Sequence, residues 1–353
     1  MVSAGKAFVC RTLKFVFGLS PPGSTPPPFY GRRWTWAQPR FGGRSDGRRL
    51  RRAASRRVAW SFAPWSFVSL LVDGNYCITA GGDNTVKLWN PHRQIYLKTY
   101  TGLGAEALDA CGSSDNAQIL AGGRDGQPTL FDVESGKMLK RWRDHGGPVN
   151  AVAFNEDSSL AISASQDGTV QLHDVRSRGP PVQTLEETTD AVLCLDVGAY
   201  EIVTGSADTN LRLYDIREGR LYVDFMGDSV TNVHLTADGQ CILAAAMHSP
   251  LRLIEKCNGA LLADYSGHLN DNYLIECAVL ASSNEVISGS EDSRLYIWDM
   301  VENTKILARL EHPDAKFVPT LSPHPTKSIL LTAAGQRCYY WRTEEVDEDG
   351  INE

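Results

Sequence analysis

The stretch SGSEDSRLYIWD, residues 288–299, places Ser288, Asp292 and Trp298 close together, with His268 twenty residues upstream. A serine, a histidine and an aspartate are the parts of a hydrolytic triad: nucleophile, base, and the carboxylate that orients the base. That chemistry also needs an exposed hydroxyl and donors for an oxyanion. Ser288 falls within a strand-like run and nothing nearby supplies those donors, so a nucleophile is not expected. His145, His173, His248, His268 and His312 lack the spacing of a metal-ligand set. The eight cysteines form no CxxC pair and read as reduced thiols rather than a zinc or dithiol motif. GGDNT and AGGRDG are glycine-rich, but neither leads from a strand into a helix as a phosphate-binding loop must. The expectation is therefore no catalytic, metal-binding or cofactor-binding residue, and no cofactor.

The elements that must position these residues form a repeat. The segments DNTVKLWN (83–90), DGQPTLFD (125–132), DGTVQLHD (167–174), DTNLRLYD (208–215), HSPLRLIE (248–255), DSRLYIWD (292–299) and GQRCYYWR (335–342) align. Their seventh residues, Trp89, Phe131, His173, Tyr214, Ile254, Trp298 and Trp341, recur every 40 to 44 residues. Each unit carries four short runs of alternating β-branched and aromatic residues. In the third these are VNAVAF (149–154), LAISAS (160–165), TVQLHDV (169–175) and PVQTL (181–185). Asp-Gly and similar pairs turn the second run into the third. Four antiparallel strands cannot bury two faces alone, but seven such sheets stacked radially can. The fold class expected is all-β, a seven-bladed propeller.

LWN, YIWD, Gly267-His268 and the Asp at each turn resemble the WD repeat. More narrowly, DGNYCITAGGDNTVKLWNPHR, YDIREGRLYVDF, YSGHLNDNY with SEDSRLYIWD, and HPTKSILLTA resemble the mitogen-activated protein kinase organizer family of WD-repeat scaffolds, from about residue 72 to 342. The resemblance implies an adaptor for kinase-cascade proteins or a spliceosome-associated protein, acting in cytoplasm and nucleus. It also places His268, Ser288, Asp292 and Trp298 at the four polar positions of a complete repeat. The loop entering a first strand and the turn after the second share a face. His268 is therefore expected to donate to Asp292, with Ser288 and Trp298 extending a structural hydrogen-bond network. His145, Ser163 and Asp167 repeat the set in the third blade, where His173 replaces the Trp. The seventh has His312 but Gly335 at the turn, and the fifth has His248 there.

Residues just before each turn position ring that same face. Among them Arg124, Gln166, Met247 and Glu291 are expected to meet protein partners, beside Gly82, Ala207 and Ala334. On the opposite face, Asp174-Val175-Arg176 and Asp215-Ile216-Arg217 resemble the Asp-x-Arg ending of WD-repeat substrate receptors of cullin-type ubiquitin ligases. Arg176 and Arg217 would then contact the ligase adaptor, and this is the alternative function.

Charge divides the chain. Residues 1–66 hold 13 Lys or Arg and one acid, whereas residues 67–353 hold 22 bases and 41 acids. The acidic part is unsuited to nucleic acid, and no run of 18 apolar residues suggests a membrane span. Residues 1–64, with SPPGSTPPPF and many Arg, read as a disordered basic N-terminal extension, a targeting segment, or sequence foreign to the mature protein. Residues 65–343 form the propeller and the acidic residues 344–353 a solvated tail. An N-terminal strand should close the last blade near residue 58. LRRAASRRV (50–58) alternates poorly, so a strained or incomplete seventh blade is expected. The chain is expected to act as a monomer within larger complexes.

Overall fold

The computed structural model describes residues 67–280, 284–300, 305–313, 315–335 and 337–342, and the backbone of Arg56–Val58. Seven sheets of four antiparallel strands form a seven-bladed all-β propeller, with no helix among the described residues. The third blade shows the pattern: Val149–Phe154, Leu160–Ser165, Val170–Asp174 and Gln183–Leu185, paired in chain order. Alternation places Ile162, Ala164 and Leu172 against Val192, Ile202 and Tyr214 of the next blade. Every other junction between neighbouring blades holds its own apolar cluster.

A second set of contacts runs around the inside of the ring. First strands line a central channel of about 420 Å³, and polar side chains on or just before them hold the backbone of the next blade. Asp109 accepts the Val152 N–H (2.7 Å), Asn150 Nδ2 donates to the Val192 carbonyl (2.7 Å), and Asp196 accepts the Leu235 N–H (2.6 Å). Asn232 Oδ1 accepts the Cys277 N–H (3.2 Å) and Glu276 the Leu321 N–H (2.8 Å). Ser322 Oγ accepts the Leu70 N–H (2.9 Å), which carries the series from the seventh blade to the first. Burial raises the Asp109 carboxyl to about 7, against the pull of its bonds from Val152 and Ala110.

The closing blade corrects the expectation of an incomplete sheet. Arg56–Val58 pairs antiparallel with Arg337–Arg342, Arg56 opposite Tyr340 and Val58 opposite Cys338, so the seventh sheet has four strands like the others. The strand lies inside the segment set apart as a basic head. Three register pairs is also the extent of the outer strand in the third blade. Strand pairing uses backbone N–H and C=O groups, which an Arg-rich segment carries as fully as an apolar one. The expected first strand within WSFVSLL is found at Phe67–Leu70. The disorder expected of the rest of the head and of residues 344–353 lies outside the described residues. The junction itself is lean: Val68 and Cys77 meet Leu331, Ala333 and Cys338. Beside it Gly74 (φ 67°) approaches His324 so closely that a Cβ would lie 2.2 Å from the imidazole.

Candidate protein-interaction face

One face is built from the turns between second and third strands and the loops entering each first strand. In five blades a turn aspartate folds back on its own backbone. Asp83 accepts the Thr85 N–H (3.2 Å), Asp125 that of Gln127 (3.1 Å) and Asp167 that of Thr169 (2.9 Å). Asp208 accepts the Asn210 N–H (3.1 Å) and Asp292 that of Arg294 (3.2 Å). The following residue is left-handed in each, and in the fourth and sixth blades it is Thr209 (φ 69°) and Ser293 (φ 66°).

In the second, third and fourth blades the other carboxylate oxygen reaches the entry loop, whereas Asp83 and Asp292 give theirs to Lys87 and Tyr296. In the third, His145 Nδ1 donates to Asp167 Oδ2 (3.2 Å) and its Nε2 is hydrogen-bonded to Ser163 Oγ (2.8 Å). Burial lowers the imidazole pKa despite the pull of Asp167, so the ring is neutral and Ser163 donates to it. Asp167 is itself lowered: burial opposes this, but the bonds from Thr169 and Gly146 prevail. His173, in the Trp position, stacks on Trp142 at 4.9 Å and is held at about 4 by burial. In the seventh blade Thr332 Oγ1 is shared by His312 Nε2 (2.8 Å) and Trp341 Nε1 (3.0 Å). In the first, Trp89 Nε1 donates to Thr79 Oγ1 (3.0 Å). In the fourth, Arg212 grips Asp208 with two bonds, 3.0 and 2.7 Å, while Asp208 also accepts the Thr189 N–H of the entry loop (3.1 Å). Arg212 is not among the residues expected above, although its place four residues after the turn Asp is a usable signal.

The sixth blade corrects the expected network. Among the described residues neither ring nitrogen of His268 has a hydrogen-bond partner. Asp292 Oδ2 accepts instead from the Tyr296 hydroxyl (2.6 Å), the Ser288 hydroxyl donates to the Gly289 carbonyl (3.0 Å), and Trp298 Nε1 donates to the Ser266 carbonyl (3.2 Å). His268 stands edge-on to Trp298 at 5.6 Å, and burial takes it down to about 4, only partly offset by the charge of Asp292. The cause is the residue four positions after the turn Asp. Lys87, Arg212 and Tyr296 each bind the carboxylate from there (2.5, 2.7 and 2.6 Å), whereas Gln171 turns to the Asp144 carbonyl (3.1 Å) and leaves Asp167 to His145. The Ser288 hydroxyl is buried and has no base beside it, so no triad forms.

The sequence pattern of the WD domain, G-beta repeat, matches residues 64–90, 136–174, 179–215 and 259–299. WD repeat domain-containing protein 83 of Homo sapiens is 44% identical over 281 residues, covering 79% of this chain and 89% of that protein. The Rattus norvegicus protein of that name is 42% identical over 280 residues, 79% and 88% of the two chains. The chain belongs to the WD repeat domain-containing protein 83 family. A more distant likeness, 26% over 292 residues, joins it to the Dictyostelium discoideum homolog of that protein, covering 74% of this chain and 89% of that one.

In this member of the WD repeat domain-containing protein 83 family, the residues expected to meet partners do not stand alike. Arg124 is 64% exposed and holds Glu106 in a surface pair at 3.0 Å, Gln166 is exposed, and Met247 is half-buried. Glu291 is no free surface acid. Its carboxylate accepts the backbone N–H groups of Asp271 (2.8 Å), Asn272 (2.5 Å) and Tyr273 (3.0 Å). Those bonds hold its pKa low against the effect of burial. It positions the entry loop of its blade. On the opposite face Asp174 and Asp215 accept the backbone N–H groups of Arg176 (2.7 Å) and Arg217 (2.9 Å). The Arg217 guanidinium lies over the Tyr200 ring at 4.3 Å, and Arg176 is exposed. Among the described residues no group of three or more His, Cys, Asp or Glu is arranged to hold a metal ion.

Proposed function

We propose that the chain is a non-catalytic scaffold that assembles other proteins on the turn face of its propeller. By family resemblance those proteins belong to a kinase cascade or to the spliceosome, and the chain acts as a monomer within such complexes in cytoplasm and nucleus. The observation that carries this reading is that the residues suited to chemistry are engaged in holding turns. Asp167, Asp208 and Asp292 bind backbone, and His145 and His312 bind buried hydroxyls. What remains is a braced ring of loops that presents varied side chains, as a protein-binding surface requires. The test is affinity purification with the full chain and a variant carrying Arg124→Ala and Gln166→Ala. Capture of partners should weaken with the melting temperature unchanged, since the exposed Arg124–Glu106 pair is worth about 0–1 kcal/mol. Undiminished capture would count against this face.

A substrate receptor of a cullin-type ubiquitin ligase is the second reading. Asp174 is engaged with its own backbone, which leaves Arg176 exposed on the opposite face. Loss of a cullin adaptor from pull-downs on Arg176→Ala with Arg217→Ala, but not on the turn-face variant, would favour it.

A further inference from the structure

We propose that the entry loop of the sixth blade, residues 267–275, with Phe317 beside it, docks an extended segment of a partner protein in which an apolar side chain stands next to lysine or arginine. The proposal rests on the turn face being the partner face, and names the chemistry it selects.

The loop is long and fixed. Eleven residues separate Tyr265 from Cys277, against four between Phe225 and Val230 and seven between Arg141 and Val149. Three successive N–H groups converge on Glu291, the Leu269 N–H donates to Ser290 Oγ (3.0 Å), and the Glu291 N–H returns to the Leu269 carbonyl (3.0 Å). Buried Asn270 ties the loop to the fifth blade through the Ala246 carbonyl (3.4 Å) and the His248 N–H (2.9 Å). A loop so held presents its side chains in one arrangement, which lowers the ordering cost of binding.

What it presents is apolar. Leu269 is 50% exposed and Leu274 48%, and Tyr273 stacks on Phe317 at 4.1 Å with ring planes 11° apart. Of these, Leu274 reaches the central channel and helps to line it. Rigid aromatic and aliphatic side chains around a concavity are the usual anchors of an interface.

Charge selects the neighbour of the anchor. On the fifth-blade side stand Asp271, bonded to exposed His248 (3.2 Å), and Asp228, bonded to the Ser249 hydroxyl (2.9 Å). On the seventh-blade side Arg294 is engaged with Glu311 (3.3 Å), and Lys316 adjoins Phe317. Residues 67–342 as a whole hold 22 bases and 35 acids. A cation on the partner would thus face Asp228 and Asp271, while acidic segments, phosphopeptides and nucleic acids would be repelled.

The test pans the full chain against a phage-displayed library of random 12-residue peptides. Enriched peptides are then titrated by fluorescence polarisation. The expected peptides carry an apolar residue within two positions of Lys or Arg. Their affinity should fall at least tenfold with Leu269→Ala plus Tyr273→Ala, fall several-fold with Asp271→Asn, and hold with Arg124→Ala plus Gln166→Ala. Absence of any enriched peptide, enrichment of acidic ones, or insensitivity to the loop variants would overturn the proposal. Peptides lost only in the Arg124 and Gln166 variant would preserve the turn face and reject this loop. Peptides indifferent to both variants would reject the face as well. Asp271→Asn alters one exposed side chain and keeps the test valid if the double variant fails to fold.

Discussion

Replacing Tyr296 by Phe tests why the sixth blade lacks the His–Asp contact of the third. Tyr296 is buried, its ring is stacked on Trp298, and its hydroxyl gives a 2.6 Å bond to Asp292. Phe keeps the ring and removes the hydroxyl, with its bond to Asp292 and its contact with the Arg294 side chain. A hydrogen bond to a charged group contributes about 1.5–3 kcal/mol. Asp292 keeps the Arg294 N–H, and His268 is then free to donate to the vacated oxygen, which recovers part of the loss. A net destabilisation of about 1–2 kcal/mol is expected in urea denaturation. The informative readout is the titration of His268, followed by NMR on histidine-labelled protein. It lies at about 4 because burial outweighs the attraction of Asp292; a direct bond should move it up, toward the ordinary imidazole value of about 6.5. The folded state would then take up its proton nearer the pH at which the unfolded chain does, and acid would destabilise the blade less steeply. An unmoved His268 titration, or a loss well beyond about 3 kcal/mol, would refute the argument and assign Tyr296 a packing role.

Three further outcomes follow from the geometry. Leu331→Ala empties the centre of the lean junction between seventh and first blades and should cost about 2–5 kcal/mol in chemical denaturation; a cost under about 1 would mean that closure adds little. His173 and His312 are buried and held at about 4, so the unfolded chain binds protons that the native state refuses. Stability should be complete above pH about 6.5 and fall toward pH 4, by up to about 3 kcal/mol for each ring. Replacing both by Phe should flatten that acid limb of the melting curve, and an unchanged slope would contradict the assignment. Arg212→Met leaves Asp208 buried without its cation and should cost about 3–5 kcal/mol, while adding Asp208→Asn should restore a measurable part in a double-mutant cycle.

Much of this was legible in the chain. The 40-to-44-residue period and the strand alternation identify the seven blades, and VNAVAF and LAISAS are strands to the residue. The individual turns were harder to read. His268, Ser288, Asp292 and Trp298 carry the right types at the right spacing, yet the network depends on which donor reaches Asp292 first, and Tyr296 competes from four positions on. Glu291 looks in sequence like a surface acid because its partners are backbone amides, which no side-chain pattern announces. The closing strand ends at residue 58, where it was expected, and the blade is complete for a related reason: backbone pairing makes little demand on residue type, so RRV serves.

The propeller is proposed to work by holding proteins on its turn face. The direct measurement is hydrogen–deuterium exchange on the full chain, free and within the complex that copurifies with it. Exchange should slow in the turns at 82–85, 124–127 and 166–169 and in the loop at 267–275, with the turns of the opposite face unchanged. Protection confined to the opposite face, around 174–178 and 215–220, or no protection on either face, would contradict it.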